Sequence, residues 1–249
     1  MFTQSAAFYD RIYTAIGKDH AAEARALATL IRAALPGATT LLDVGCGTGL
    51  HLAEFERQGF ACRGVDADIN MVTLARGREP ELQVDLGDMR TLDLGERFDA
   101  VTALFAVLAY ARTKDHLLES VARLAVHVKP GGILIAEGFI PFAQFVAGRQ
   151  TALLIDDADL KICRMSMSRQ VGRIAILDFH YLVGTPQRGI ERLFERHELG
   201  LFEAADYRAA FEAAGLTFVE VDVPEIGFGR QVFVGRRGPA STDSTAGER

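Results

Sequence analysis

From Ala21 to Leu35 the apolar residues Ala24, Leu27, Ala28, Ile31, Ala34 and Leu35 recur at the spacing of one helical face, and Pro36-Gly37 ends the run. Thr40 to Val44 follows a different pattern. It is a short apolar run without alternation, which predicts a strand buried on both faces, as in parallel sheets. A glycine-rich turn and a helix from Leu50 to Gln58 come next. The unit then repeats, with a strand over Ala61 to Val65, a helix over Ile69 to Gly77, a weak third strand over Leu82 to Asp85 and a fourth over Phe98 to Leu104. Asp115 to Val128 predicts a helix stopped by Pro130-Gly131-Gly132, and Ile133 to Glu137 a fifth strand. Strands and helices alternating at this spacing predict an α/β fold, a parallel sheet with helices on both faces.

After Glu137 the pattern turns to period two. Lys161 to Ser168, Arg173 to Val183 and Gly189 to Phe202 predict antiparallel strands within an insert spanning 140–202, read as a β-rich cover beside the main sheet. A helix over Ala204 to Ala214 ends at Gly215, and Thr217 to Val223 and Gln231 to Gly235 predict the last strands. The first twenty residues show no clean period, but Phe2, Phe8, Tyr9 and Tyr13 stand out. With the first helix they form an N-terminal cap over 1–37. Residues 238–249 are polar and predict a disordered tail, which leaves 1–237 as one domain.

Composition narrows the function. With 49% hydrophobic residues in 249, the chain can bury one substantial core. Its 27 basic residues against 33 acidic ones leave a charge of −6, without the positive footprint that phosphate neutralisation requires, so no nucleic-acid partner is expected. Cys46, Cys62 and Cys163 are too scattered for a disulfide framework or a zinc site, and no metal is expected. No basic stretch precedes an apolar core near the N-terminus. Runs such as Ile133 to Ala136 fall far short of the roughly 20 residues that span a bilayer. The expectation is a cytoplasmic protein with no membrane partner.

The sharpest chemical signal is Asp43-Val44-Gly45-Cys46-Gly47-Thr48-Gly49 between the first strand and its helix. Glycines there let a ligand approach the backbone and tolerate positive φ. The dinucleotide fingerprint would place a third glycine at the sixth position counted from Gly45, where Leu50 stands, so a nicotinamide oxidoreductase is disfavoured. The heptad instead resembles motif I of the class I S-adenosylmethionine-dependent methyltransferases, which implies a Rossmann-like seven-stranded sheet and S-adenosylmethionine as cofactor. Phe98-Asp99-Ala100-Val101 and Lys129-Pro130-Gly131-Gly132 stand where that family has its next landmarks.

The resemblance implies a cofactor site residue by residue. Gly45, Cys46 and Gly47 form its loop, and Asp43 either fixes that loop or touches the amino-acid part of the cofactor. Asp66, followed by Ala67, matches the carboxylate that accepts bonds from both ribose hydroxyls, although an aspartate there also suits a helix N-cap, as does Asp68. In Gly87-Asp88-Met89-Arg90, Asp88 receives the adenine amino group and the backbone N–H of Met89 meets the ring; a plain loop aspartate would look the same. Met71 covers the adenine or belongs to the core. His20 and His51 are further candidates to line the cofactor pocket.

A closer resemblance is to the nucleotide-linked aminodeoxysugar N-methyltransferases of antibiotic biosynthesis. It is carried by Phe8-Tyr9-Asp10-Arg11-Ile12-Tyr13, Gly17-Lys18-Asp19, His180-Tyr181-Leu182-Val183 and Gly229-Arg230. It implies that Tyr9 approaches the cofactor, that Arg230 faces the nucleotide sugar, where a guanidinium suits phosphate, and that Tyr110 occupies an active-site position held by histidine in at least one member. Tyr13 and Glu137 join Arg230 on the substrate side. Lys18 is read as a cofactor-site contact to phosphate or carboxylate, against the ordinary expectation of an exposed lysine. The chain departs from the group in Gly138-Phe139-Ile140-Pro141, where Pro-Trp is common, and has no tryptophan.

Methyl transfer from a sulfonium needs mainly orientation and desolvation. Tyr9, Phe105 and Tyr110 are expected to wall the site. A hydroxyl acceptor would need a general base, and His180, which shares a strand face with Asp178, or His197 is the candidate. The element Asn/Asp-Pro-Pro-aromatic of base-amine methyltransferases is absent from Ala103-Leu104-Phe105-Ala106. The expected function is methylation of a small-molecule amine such as an amino-sugar nucleotide. The alternatives are O-methylation of a small hydroxylated metabolite, or a cofactor-binding module without turnover. The antiparallel insert could pair edges across a homodimer.

Overall fold

The computed structural model describes residues 3–226 and 230–239. A seven-stranded sheet is built from β1 (Thr40–Val44), β2 (Ala61–Asp66), β3 (Gln83–Leu86), β4 (Phe98–Ala103), β5 (Val128–Glu137), β10 (Leu216–Val221) and β11 (Val232–Arg237). The order is β10-β11-β5-β4-β1-β2-β3, with β1 to β5 parallel and β11 reversed between β5 and β10. The expected sheet, with helices on both faces, is therefore present.

Adjacent residues of one strand feed opposite cores, because side chains alternate across a sheet. Leu41 packs with Leu27, Ile31, Leu52 and Phe55 on the side of α2 (His20–Ala34) and α3 (Leu50–Arg57). Leu42 packs with Val121, Leu124, Tyr207 and Phe211 on the side of α5 (Lys114–Val126) and α6 (Ala204–Ala213). Leu41 and Leu42 are both fully buried, worth about 1.5–3 kcal/mol each. Burial on both faces is why these strands read as unbroken apolar runs. The helices start where the sequence supplies acceptors: Asp19 caps α2 through Ala22 N–H, and Thr113 caps α5 through His116 N–H.

The insert is a four-stranded antiparallel sheet, β6 (Gln150–Asp156), β7 (Lys161–Val171), β8 (Ile174–Thr185) and β9 (Gly189–Gly200), in sequential order. Its inner face, with Ile155, Ile162, Phe179, Tyr181 and Val183, packs on Tyr9, Ile12 and Tyr13 of the first helix, α1 (Tyr9–Ala15), and on Met71 of α4 (Ile69–Arg78). Besides short 3-10 turns, helix α1 and strand β6 escaped the sequence reading. Helix α1 is too short to display a period, and edge strand β6 is exposed along most of its length. Strand β5 begins before Ile133 because Phe98 pairs with Val128 while Ala100 pairs with Ile133, a register shift taken up around Pro130-Gly131-Gly132. Within the expected tail, residues 240–249 lie outside the described residues, and Gly238 accepts a bond from Gly131 N–H. No helix among the described residues is long and apolar enough to cross a membrane.

Candidate active site

A cleft of about 390 Å³ opens at the carboxyl ends of β1, β2 and β4, where the strand order switches direction. Ligands in open α/β sheets bind at this point, and the volume falls in the range of small-molecule sites. The loop after β1 turns back because Gly45 and Cys46 both donate to Val65 O, at 2.7 and 3.1 Å. Gly45, Gly47 and Gly49 take φ of +75°, +57° and +79°, which L side chains rarely adopt. A Cβ on Gly47 would meet nothing within 4 Å, so the loop presents bare backbone to open space.

Asp66 closes β2 beside this loop. Its Oδ2 accepts from Gly47 N–H at 2.8 Å and its Oδ1 from Asp68 N–H at 2.9 Å, so the carboxylate is aimed before any ligand arrives. Burial raises its pKa and backbone hydrogen bonds oppose the shift. Asp68, not Asp66, caps α4, accepting from Asn70 N–H. Ala67, Asp88 and Met89 line the same wall, with Met71 buried against it. Asp88 is held below the usual carboxylate range by Arg90, whose Nη2 donates at 2.6 Å.

The opposite wall is the turn after β4. Phe105 and Ala106 are consecutive non-glycine residues with φ of +53° and +62°. Such conformations cost about 1–3 kcal/mol each and persist only where neighbours enforce them. Here Phe105 N–H donates to Glu137 Oε2 at 2.6 Å, and Tyr13 meets the ring edge-on at 4.8 Å. The Lys18 ammonium and the Arg230 guanidinium lie 4.2 and 4.3 Å from the ring centroid. Arg230 in turn donates to Glu137 Oε1 at 2.9 Å. Tyr9 and Tyr110 complete the cleft, and burial pushes both phenols well above their ordinary pKa.

The structure thus brings Tyr9, Gly45, Gly47, Asp66, Ala67, Met71, Asp88, Met89, Phe105 and Tyr110 to one cleft. Tyr13, Glu137 and Arg230 stand behind its Phe105 wall. Asp43 is buried beneath the loop, where Oδ1 accepts from Thr102 Oγ1 at 2.7 Å, and burial raises its pKa to about 6. The Cys46 side chain turns away, towards Gly64 and Leu52. Lys18, expected as a cofactor-site contact, is only 4% exposed, pairs with Glu23 at 2.6 Å and stands outside the cleft lining. His51 also reaches Glu23, at 2.8 Å, and His20 packs edge-on against His51.

His180 is not brought to the cleft. Strand β8 turns Phe179 and Tyr181 inward, so Asp178 and His180 share the outer face of the second sheet. There the His180 ring lies 4.8 Å from Phe194, while Asp178 is engaged by Arg169 and Arg196. His197, on the inward row of β9, is 1% exposed, and its Nδ1 lies 2.8 Å from the Tyr110 hydroxyl. The sequence reading missed Arg112, Arg196 and Glu198 at the cleft mouth, where Arg112 and Glu198 pair at 3.1 Å. No local signal marks them, since the pair joins positions 86 residues apart.

Comparison with known proteins agrees with this geometry. Residues 41–132 match the family model described as a methyltransferase domain. The dTDP-3-amino-3,4,6-trideoxy-alpha-D-glucopyranose N,N-dimethyltransferase of Streptomyces venezuelae is 37% identical over 91% of this chain and 95% of its own. The dTDP-3-amino-3,6-dideoxy-alpha-D-glucopyranose N,N-dimethyltransferase of Streptomyces fradiae is 36% identical over 94% and 91%. Among solved structures, CalS10, an amino pentose methyltransferase from Micromonospora echinaspora with S-adenosylmethionine bound, superposes with a TM-score of 0.83 at 37% identity, over 92% of this chain and 96% of its own. Identity at this level across nine-tenths of the chain, on a shared fold, leads to one conclusion: the chain belongs to the class I S-adenosylmethionine-dependent methyltransferases, with the nucleotide-linked aminodeoxysugar N-methyltransferases as its relatives.

Proposed function

We propose that residues 1–237 act as one unit that methylates the amino group of a nucleotide-linked aminodeoxysugar, once and then a second time. The observation that carries this reading is the pairing of a cofactor cleft with a guanidinium, Arg230, positioned behind its aromatic wall. The residues fit S-adenosylmethionine. Gly47 offers open backbone, the oriented Asp66 carboxylate suits two ribose hydroxyls, and Asp88 with Met89 lies where an adenine edge would sit.

When bound, the cofactor supplies a methyl group already activated by positive charge on sulfur. The protein's part is placement. Asp66 and the glycine loop fix one partner, and Tyr9, Phe105 and Tyr110 exclude water from the space between the two. Their ring faces attract a sulfonium by about 0.5–2 kcal/mol. Tyr9 and Tyr110 stay neutral, because burial disfavours their phenolates. Arg230, with its geometry set by Glu137, is assigned to the diphosphate of the sugar nucleotide. A hydroxyl acceptor is the second reading, favoured by the imidazole of His197 beside Tyr110, since O-methylation needs a base.

A panel of dTDP-linked amino sugars, their hydroxyl analogues and the free amino sugars tests both readings. The amino-sugar nucleotides should turn over and the hydroxyl analogues should not. Arg230→Ala should raise KM for the nucleotide-linked acceptor while leaving cofactor affinity within about twofold, an effect of the size lost with one charge-assisted contact being confined to the acceptor.

We also propose that two copies of the chain associate through the second sheet. The register places Ala152, Met165, His180 and Phe194 in one row of its outer face and Leu154, Cys163, Leu182 and Arg192 in the next. Leu154, Met165 and Leu182 are each more than half exposed, a contiguous apolar area of the kind that marks interfaces. This replaces edge pairing with face packing. Leu182→Glu should shift a sedimenting dimer to monomer; a wild-type monomer at high concentration would sink the idea.

A further inference from the structure

Tyr110 sits in the short 3-10 turn Val107–Ala111, immediately after the strained Phe105-Ala106 pair, and lines the cleft. Its hydroxyl lies 2.8 Å from Nδ1 of His197. His197 Nε2 faces Glu195 Oε2 at 3.9 Å, and both side chains are almost fully buried. Glu195 is fixed from the far side: Oε2 accepts from Ser5 Oγ at 2.7 Å, and Oε1 from the N–H groups of Gln4 and Ser5 at 2.7 and 3.0 Å. The row therefore runs from the cleft through the second sheet into the N-terminal cap.

Its protonation follows from the surroundings. Burial would raise the Glu195 carboxyl, but the neighbouring His197 and the hydrogen bonds from Ser5 and Gln4 outweigh that and hold it below the usual range, so it is a carboxylate. Burial lowers the His197 pKa, so the imidazole is neutral. A carboxylate opposite Nε2 places the hydrogen there, which leaves the Nδ1 lone pair to accept the Tyr110 O–H. The Tyr110 oxygen then has lone pairs free for a donor in the cleft. Ionisable groups near the row are Tyr181 of β8, whose hydroxyl reaches Glu195 at 3.4 Å, and Arg164 of β7, which lies over the Phe179 ring that meets His197 edge-on. Neither of them replaces the His197–Tyr110 contact.

Resting on the amine acceptor proposed above, we propose that Tyr110, His197 and Glu195 form a proton relay that deprotonates the acceptor ammonium, above all the monomethylammonium between the first and second transfers. An alkylammonium has no lone pair to attack with, and at neutral pH most of it is protonated, as a lysine side chain is. In the relay the ammonium N–H bond breaks as its proton joins the Tyr110 oxygen, while the original Tyr110 O–H proton passes to His197 Nδ1. Tyrosine ends neutral, the amine gains its lone pair, and the imidazolium is stabilised by the Glu195 carboxylate. Tyr110 is the catalytic residue of this set; His197 and Glu195 act through it.

The test compares wild type, Tyr110→Phe and His197→Gln in two ways. In turnover with an amino-sugar nucleotide, both variants should lose about 100-fold in kcat near pH 7, the scale of general-base catalysis, and accumulate monomethyl product. The loss should shrink towards about pH 9, where solvent deprotonates the amine, with KM and the affinity for S-adenosylhomocysteine within about twofold of wild type. Nitrogen NMR of His197 in the S-adenosylhomocysteine complex needs no turnover. It should show an Nε2–H tautomer, with a His197 pKa that shifts in Tyr110→Phe. A loss of the same size at every pH with an unchanged ratio of mono- to dimethyl product, or an Nδ1–H tautomer, would overturn the relay. Failure of wild type to methylate any amine overturns the substrate reading instead, and the tautomer still decides the relay geometry.

Discussion

The backbone N–H of Phe105 donates to Oε2 of Glu137 at 2.6 Å, joining the carboxyl ends of β4 and β5. The other oxygen of that carboxylate accepts from Arg230. One buried acid thus holds both the aromatic wall of the cofactor cleft and the arginine assigned to the acceptor. Shape on one side and charge on the other depend on the same group.

Removing that carboxylate should be costly. Glu137 is 1% exposed, and deleting one partner of a buried ion pair costs about 3–5 kcal/mol. Glu137→Ala should lower the denaturation midpoint by that order and weaken cofactor binding, as the Phe105 turn relaxes. Glu137→Gln keeps an acceptor for the amide and should lose less on both counts. Urea unfolding with calorimetry on the same samples measures the two effects.

Asp66→Ala removes the acceptor assigned to the ribose hydroxyls and the anchor of Gly47 N–H. Hydrogen bonds to a charged group are worth about 1.5–3 kcal/mol. The dissociation constant for S-adenosylhomocysteine should therefore rise by about 10- to 100-fold, with the far-ultraviolet spectrum unchanged. Wild-type affinity in the variant would remove Asp66 from the cofactor site.

Gly45 combines two constraints that a double variant can separate. A Cβ there would lie 2.3 Å from Val107 Cγ2, and φ is +75°. Gly45→Ala should destabilise by about 1–3 kcal/mol from overpacking and a similar amount from backbone strain. Adding Val107→Ala should recover only the first part in a denaturation series. Full recovery would show that φ is not a constraint at this position.

The cluster beneath the loop sets the acid limb of stability. Burial alone would raise the Glu23 carboxyl, but hydrogen bonds from His51 and Lys18 hold it at about 2. Its contribution is present above the pKa of an unfolded glutamate and is lost as pH falls towards 2. His20 is lowered to about 3 by burial and by neighbouring His51 and Lys18, so protonation below its unfolded value of about 6.5 favours the unfolded chain. Asp43, raised to about 6 by burial, opposes them, since the folded chain takes its proton first. His20 acts alone from about pH 6.5 to 6, and Asp43 offsets it between about 6 and 4.5. Glu23 joins His20 below about 4.5, so the steep net loss of stability is predicted below about pH 4.5. Glu23→Gln should flatten that limb below about pH 4.5. An unchanged pH dependence in the variant would contradict the assignment.

Much of this was legible in the sequence, for physical reasons. Strands β1, β2 and β4 are buried on both faces, so they read as apolar runs, and the loop at Gly45 to Gly49 betrays itself by glycines at positive φ. His180 shows the limit. Period two says that Asp178 and His180 share a face, but not which face. The alternate row Phe179, Tyr181 and Val183 carried that signal, since a more apolar row turns to the core. Helix α1 and the Tyr110–His197 contact were out of reach, the first being too short to show a period, the second joining residues 87 apart. The Lys18–Glu23 pair, local in sequence, is buried only because α2 packs against α3 beneath the loop.

The most direct measurement is the mass of the product when wild-type protein is incubated with S-adenosylmethionine and a dTDP-linked aminodeoxysugar. The account predicts a nucleotide sugar heavier by one methyl group and then by two, with S-adenosylhomocysteine formed in step. Protein that binds S-adenosylmethionine yet leaves every amino-sugar nucleotide at its starting mass, while methylating a hydroxyl or nothing, would contradict it.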